Sequence, residues 1–250
     1  MFETIIAFIL GLFLGSFINV LIYRLPREIS IVYPFSYCPH CKNSIKWYDN
    51  IPVLSFILLK GRCRYCGGKI SFRYPFVEII SGCITGTIIY LYGINLKSVF
   101  LIFLLLNLII ISFIDFEHRI IPDEVNIVIF LFGFIYTIIE KGKGGIIFSI
   151  SGALTGFLFF ILTSYLGNKI FKRESLGGGD VKLIAAVGSF LGIKKVFIAI
   201  FLSSIFGLVY AIPMLIFFKK GREIPFGPVS YTHLRAHETR HDLVCRLLLE

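Results

Sequence analysis

Apolar runs long enough to matter to a bilayer recur along most of this chain, and no other feature restricts its fold as much. Segments at about 5–23, 75–92, 98–114, 125–139, 144–166, 181–193 and 196–217 read as helices that pass into or through a membrane. With 56% hydrophobic and 16% charged residues in 250, the chain holds more apolar material than a soluble core of this size buries. The fold class predicted is therefore an all-α polytopic membrane protein of about seven transmembrane helices with a small loop domain. The first run is followed by no small-residue cleavage site, so it reads as a retained helix and not a signal peptide.

The net charge of +10 at first suggests a nucleic-acid binder. The basic residues, however, sit between apolar runs, and no soluble basic face interleaved with aromatics emerges; nucleic acid is excluded as a partner. Their distribution instead orients the chain. Residues 24–74 carry nine Lys/Arg against only Glu28 and Asp49, which marks a cytoplasmic loop. Counting onward to residue 228 puts 17 Lys/Arg on that side and five (Lys97, Lys141, Lys143, Lys194, Lys195) on the other.

Within the first span, Gly11 and Gly15 have the small-xxx-small spacing of close helix packing, repeated at Gly82/Gly86 and Gly152/Gly156. Asn19, also in this span, needs a polar partner, either a neighbouring helix or a substrate. The loop then brings Cys38-Pro39-His40-Cys41 and Cys63-Arg64-Tyr65-Cys66. Two C-x-x-C pairs can complete a four-thiolate zinc shell, with Cys38, Cys41, Cys63 and Cys66 as ligands and His40 as a bystander. The loop lacks core-forming residues for its length, so a metal would supply folding energy that burial cannot; redox-active or disulfide-paired cysteines are the alternative. Cys83, inside a span, reads as a small buried residue. Glu78, at the start of a span, reads as a cap or a partner of Arg73, with a site role as the alternative.

Two acids stand out. Asp115 opens Asp115-Phe116-Glu117-His118-Arg119 at the end of one apolar run, and Asp180 follows Gly177-Gly178-Gly179 at the start of another. Both fall on the same side by the charge count and within about a turn of a span end. Glycines before Asp180 let a substrate backbone approach. The bland alternative is a pair of hydrated interfacial acids. Brought within hydrogen-bonding reach, two such carboxylates share a proton, one acting as base on a water and the other as acid toward the leaving amine. Of the other acids, Asp123 reads as a helix cap, and Glu117, Glu124 and Glu174 as solvated or salt-paired.

An ordered set of motifs runs from residue 10 to 228: G-S-F-I-N-V-L-I-Y-R-L-P (15–26), the two cysteine pairs, N-I-P-V-L-S (50–55), R-Y-P-F-V-E (73–78), D-F-E-H-R-I-I-P-D (115–123), G-G-G-D-V-K-L (177–183) and I-P-F-G-P (224–228). In this the chain resembles the type IV prepilin peptidases, membrane aspartyl proteases with a G-x-G-D motif. The resemblance implies that Asp115 and Asp180 are the catalytic pair, with Gly177, Gly178 and Gly179 positioning substrate. It implies cleavage of prepilin or pseudopilin precursors at the cytoplasmic face of the bacterial inner membrane. It also implies, for the cysteine-bearing branch, N-methylation of the new terminus with S-adenosylmethionine, whose binding residues the sequence does not locate. Oligomeric state is not legible.

The implied domains are a first helix at 1–23, a cysteine-rich zinc domain at 24–74, and a transmembrane peptidase domain at 75–228. From Val229 the character changes: His233, His237 and His241 arrive in a charged stretch. V-S-Y-T-H-L-R-A-H-E-T back-translates to a sequence resembling a transposase-based sequencing adapter, so 229–250 is read as non-native and an eighth helix is expected to be missing. Two rival classes remain. A transporter would carry acids at mid-span, and a zinc-bearing assembly factor would tolerate loss of Asp180.

Overall fold

The computed structural model describes residues 1–33, 35–172 and 176–217. Seven α-helices follow one another: α1 (Phe2–Arg24), α2 (Leu54–Leu58), α3 (Arg73–Tyr92), α4 (Leu96–His118), α5 (Asp123–Lys141), α6 (Lys143–Phe171) and α7 (Gly178–Phe217). No β-strand forms among the described residues; two isolated bridges join Tyr37 to Ser44 and Arg62 to Lys69. Among the described residues, five helical segments are long and apolar enough to cross a membrane: Phe2–Arg27, Arg73–Tyr92, Leu96–His118, Lys143–Ile170 and Gly178–Val209. At 1.5 Å per residue, the 23 residues of α1 reach about 34 Å, enough for the hydrocarbon layer. The chain is a membrane protein. Helix α5 falls outside that group because Asp123, Glu124, Glu140 and Lys141 sit at its ends. The expected segments 181–193 and 196–217 run together as α7, bent at Gly192. The adapter-like residues 229–250, I-P-F-G-P (224–228) and Glu174 lie outside the described residues.

The chain divides into two compact units between Val125 and Asn126. In the first, α1 packs most closely on α3, with α4 against both. Glycine explains the approach. A Cβ on Gly11 would fall 2.8 Å from the Gly82 Cα, and one on Gly15 would fall 2.6 Å from the Glu78 Cα. Without side chains between them, the backbones reach van der Waals contact directly, which in lipid replaces the hydrophobic driving force. Asn19, 2% exposed, reinforces the seam by donating from Nδ2 to the Gly15 carbonyl (3.2 Å) and to the Tyr74 carbonyl (3.0 Å). Ile18, Ile22, Val77 and Ile114 fill the rest of the core, while Ile9, Phe13 and Phe17 stay exposed as a lipid-facing side requires. Cys83 corrects an expectation. It is exposed, because the face of α3 that meets α1 is taken by Ser81, Gly82, Thr85 and Gly86.

In the second unit, α6 packs on α7 by the same device. A Cβ on Gly152 would run into the Gly188 carbonyl and lie 2.7 Å from the Gly192 Cα, and one on Gly156 would sit 2.9 Å from the Ile184 carbonyl. Gly192 itself adopts φ 68°, ψ 172°, which breaks the helical path and aims its Cα hydrogen at the Phe148 ring. Ser189 ties α7 to α5, donating to the Phe130 carbonyl at 3.3 Å.

Candidate active site and metal centre

The loop between α1 and α3 folds as two copies of one turn. Cys63 and Cys66 follow Cys38 and Cys41 at a uniform distance of 25 residues, and the hydrogen bonds repeat at the same offset. The Cys38 N–H donates to the Asn43 carbonyl (2.9 Å) and the Lys42 N–H to the Cys38 carbonyl (2.8 Å). In the second copy the Cys63 N–H donates to the Gly68 carbonyl (2.8 Å) and the Gly67 N–H to the Cys63 carbonyl (3.0 Å). The residue after the second cysteine is left-handed in both, Lys42 at φ 62° and Gly67 at φ 68°. An Ile closes each turn, Ile45 donating to the Ser36 carbonyl and Ile70 to the Gly61 carbonyl, both at 2.8 Å. The spacing announces the cysteines; the repeat behind them is also written in the sequence, as S-Y-C-P-H-C-K-N-S-I against G-R-C-R-Y-C-G-G-K-I.

These knuckles bring together all four expected ligands. The Sγ atoms of Cys38, Cys41, Cys63 and Cys66 lie within 4.8 Å of one another, and Cys38 and Cys66 are 3.9 Å apart. A tetrahedral zinc–thiolate shell with bonds of about 2.3 Å has edges of about 3.8 Å, so the quartet fits such an ion with small inward shifts. No disulfide joins the described cysteines. Backbone N–H groups of Cys66 and Tyr65 directed at Cys63 hold its thiol down to about 7, while burial and the neighbouring Cys63, Cys41 and Cys38 sulfurs push Cys66 up to about 11 against the Gly68 N–H. His40 packs against Gly68, whose added Cβ would meet the ring at 2.9 Å, and is not one of the cluster. Asp49 fastens the second knuckle to the intervening segment through Arg64, whose Nε and Nη2 reach its carboxylate at 2.9 and 2.6 Å.

Glu78 neither caps its helix nor pairs with Arg73. It is 7% exposed, one turn into α3, and its Oε2 accepts the Val53 N–H at 2.7 Å. Val53, a β-branched residue at φ 60°, is thereby held in a conformation it disfavours. The N-I-P-V-L-S and R-Y-P-F-V-E motifs thus converge on one contact. Arg73 turns instead to Glu117, with its Nη1 2.6 Å from both carboxylate oxygens. That ion pair ties the start of α3 to the end of α4, so the cysteine loop and Asp115 share one end of the first unit. Between the knuckles and the adjoining ends of α1 and α3 lies a cavity of about 430 Å³, lined among others by Ser16, Asn19, Asp49, Tyr74 and Glu78.

Asp115 occupies the last turn of α4, exposed beside the fully buried Ile114, and its carbonyl accepts the N–H of Arg119, which ends the helix at φ 58°. Asp180 occupies the first turn of α7, half-buried, with its N–H bonded to the Gly177 carbonyl at 3.1 Å. A Cβ on Gly177 would stand 3.2 Å from the Asp180 Oδ2, whereas one on Gly178 would meet nothing. Gly179 is half-buried in the same turn. The two acids belong to different units, Asp115 to the first and Asp180 to the second.

Two family profiles tile the chain. The Bacterial Peptidase A24 N-terminal domain matches residues 9–92, which include the cysteine loop, and the Type IV leader peptidase family matches residues 102–212, which include both aspartates. The chain is 34% identical to a prepilin leader peptidase/N-methyltransferase of Neisseria gonorrhoeae, across 91% of this chain and 87% of that protein. The chain belongs to the type IV leader peptidase family. A prepilin leader peptidase/N-methyltransferase of Vibrio cholerae is 37% identical over 88% of this chain and 90% of its own length. One of Myxococcus xanthus is 39% identical over 85% of this chain, which spans 63% of that relative. No solved structure matches. Membership in the leader peptidase family makes the chain a peptidase embedded in a membrane.

Proposed function

We propose that this chain is an aspartyl endopeptidase that removes the leader from type IV prepilin-like or pseudopilin precursors at the cytoplasmic face of the bacterial inner membrane, with Asp115 and Asp180 as its catalytic pair. The observation that carries the proposal is the near full-length match to prepilin leader peptidases, with both acids inside the matched residues 102–212. Each acid stands at the end of an apolar helix, where a membrane-anchored precursor exposes the junction between its charged leader and its apolar helix.

The chemistry follows from the pair. Two carboxylates in hydrogen-bonding reach hold one proton between them. The ionised one takes a proton from water, which attacks the scissile carbonyl; the protonated one hydrogen-bonds the developing oxyanion and then protonates the leaving amine. The pair titrates as a unit, so neither acid alone owns a role. Gly177, Gly178 and Gly179 leave the precursor's extended backbone room beside Asp180.

Around this centre we read seven membrane helices, the two halves of α7 on either side of Gly192 counting separately. We read residues 24–74 as a cytoplasmic domain built on zinc bound by Cys38, Cys41, Cys63 and Cys66. The charge asymmetry supports that orientation. The second activity in the relatives' names, N-methyltransferase, extends here to methylation of the new N-terminus. S-adenosylmethionine, when bound, supplies that methyl group. The test is cleavage of a prepilin in membranes carrying Asp115→Asn or Asp180→Asn chain. Loss in both supports the assignment, and processing that survives in either one removes it.

A further inference from the structure

The cysteine loop presents large apolar side chains that its own fold leaves uncovered. Val32, Tyr33, Phe35 and Trp47 are all exposed, Phe35 and Trp47 at 79% and 80%. Tyr33 and Phe35 meet edge to face with ring centroids 6.3 Å apart, so they form one surface and not scattered residues. That surface continues onto the first spanning helix. A cavity of about 590 Å³ is walled on one side by Phe13 and Phe17 of α1 and on the other by Val32, Phe35 and Trp47 of the loop. Phe17 stands seven residues before Arg24, about 10 Å down the helix axis. The loop's aromatics therefore share a wall with a lipid-facing helix side, and that wall reaches below the level at which the helix ends.

Charge follows the same geometry. Residues 24–74 hold nine Lys/Arg against two acids. Arg24 lines the cavity at the helix end, and Arg27, exposed one turn on, rests its guanidinium 4.3 Å from the centre of the Tyr23 ring. Tyrosine and arginine so placed anchor a helix end at headgroup level. Irregular backbone cannot face hydrocarbon, where its N–H and C=O groups would go unpaired, so the loop's backbone stays among the headgroups and only side chains go deeper. We infer that the cysteine loop is seated on the bilayer, with Val32, Phe35 and Trp47 entering the leaflet beside Phe17 and an anionic phospholipid filling the cavity between them. An acyl chain of that lipid lies against the aromatic walls, and its phosphate faces Arg27. The knuckles are held against the membrane surface, whatever chemistry the aspartates perform.

Trp47 is the single tryptophan of the chain, so its emission reports this surface alone. The test reconstitutes the full-length chain in bilayers of phosphatidylcholine with phosphatidylglycerol. Bromine on the upper part of the acyl chains, about 5–10 Å into the headgroup and acyl boundary, should quench Trp47, and bromine near the terminal methyl should quench it less. Carried on phosphatidylglycerol, bromine should quench about twofold more than the same fraction carried on phosphatidylcholine, and Arg27→Gln should narrow that difference. Iodide in the water should quench the wild-type chain weakly. Val32→Asp with Phe35→Asp should reverse the pattern, iodide gaining and bromine losing, with the far-ultraviolet circular dichroism unchanged. The inference falls if lipid bromine leaves the wild-type emission unchanged, whatever iodide does, or if the two brominated lipids quench equally. It falls too if lipid bromine is without effect and the emission shifts to the blue only when a membrane-anchored precursor is added, because the groove would then belong to that precursor's helix.

Discussion

The four cysteines and the two proposed catalytic aspartates are placed along the chain in opposite ways. Four thiols converge because one short turn is built twice, 25 residues apart, so the centre closes inside a single loop of the first unit. The aspartates are single residues at helix ends in different units, one in the last turn of α4 and one in the first turn of α7. A metal centre of this kind depends on local backbone geometry, whereas a shared-proton pair depends on long-range packing. Damage should therefore separate cleanly between them.

The largest effect expected is on chemistry alone. Asp115→Asn or Asp180→Asn should lower prepilin cleavage by about 10²–10⁴-fold, followed by the mobility shift of the processed pilin. Zinc content measured on the same purified chain should stay at the wild-type level. Cys38→Ser with Cys63→Ser should do the reverse first: metal is lost, and residues 24–72 become susceptible to limited proteolysis. The scale is the about 10–16 kcal/mol that structural zinc contributes to small zinc-dependent folds. Metal retained in that double variant would break the comparison.

Packing changes come next. Gly192→Ala combines a left-handed φ with a methyl driven into the Phe148 ring and should cost about 1–3 kcal/mol, read as a lower unfolding temperature in detergent. Gly177→Ala pushes a methyl to 3.2 Å from the Asp180 Oδ2 and should slow cleavage by about tenfold with stability unchanged. The smallest effect belongs to Asp49. Arg64 holds its carboxyl below the ordinary carboxylate range, so its contribution is in place above about pH 4. Below that, as pH falls through the lowered value, the carboxylate is protonated and the link to the second knuckle is lost. Proteolysis of the loop should then accelerate, and Asp49→Asn should remove that acid step.

Much of this was legible in residue order because its causes are local. Apolar runs announced the long helices but not the short α2 inside the loop, the C-x-x-C spacing announced the cluster, and small residues at Gly11, Gly15, Gly82 and Gly152 announced the tight seams. Contacts made across long separations were not legible. Glu78 looked like a partner for the nearby Arg73, yet the Val53 N–H is nearer to its carboxylate in space, and Arg73 reaches 44 residues onward to Glu117. Cys83 was expected inside because cysteine favours burial, but its position on α3 lies outside the stripe of Ser81, Gly82, Thr85 and Gly86 that meets α1. The boundary between the runs 181–193 and 196–217 was legible at Lys194 and Lys195; the break in the helical path at Gly192 was not.

The Arg73–Glu117 pair has a mechanical consequence. Arg73 is the first helical residue after the knuckles, and Glu117 stands two positions past Asp115, so a strut one ion pair long couples the thiol-bearing appendage to the acid-bearing turn. An exposed pair of this type is worth about 0–1 kcal/mol and fades with salt. The two ends are thus joined by a soft spring that ionic strength can slacken, without any hinge having to move.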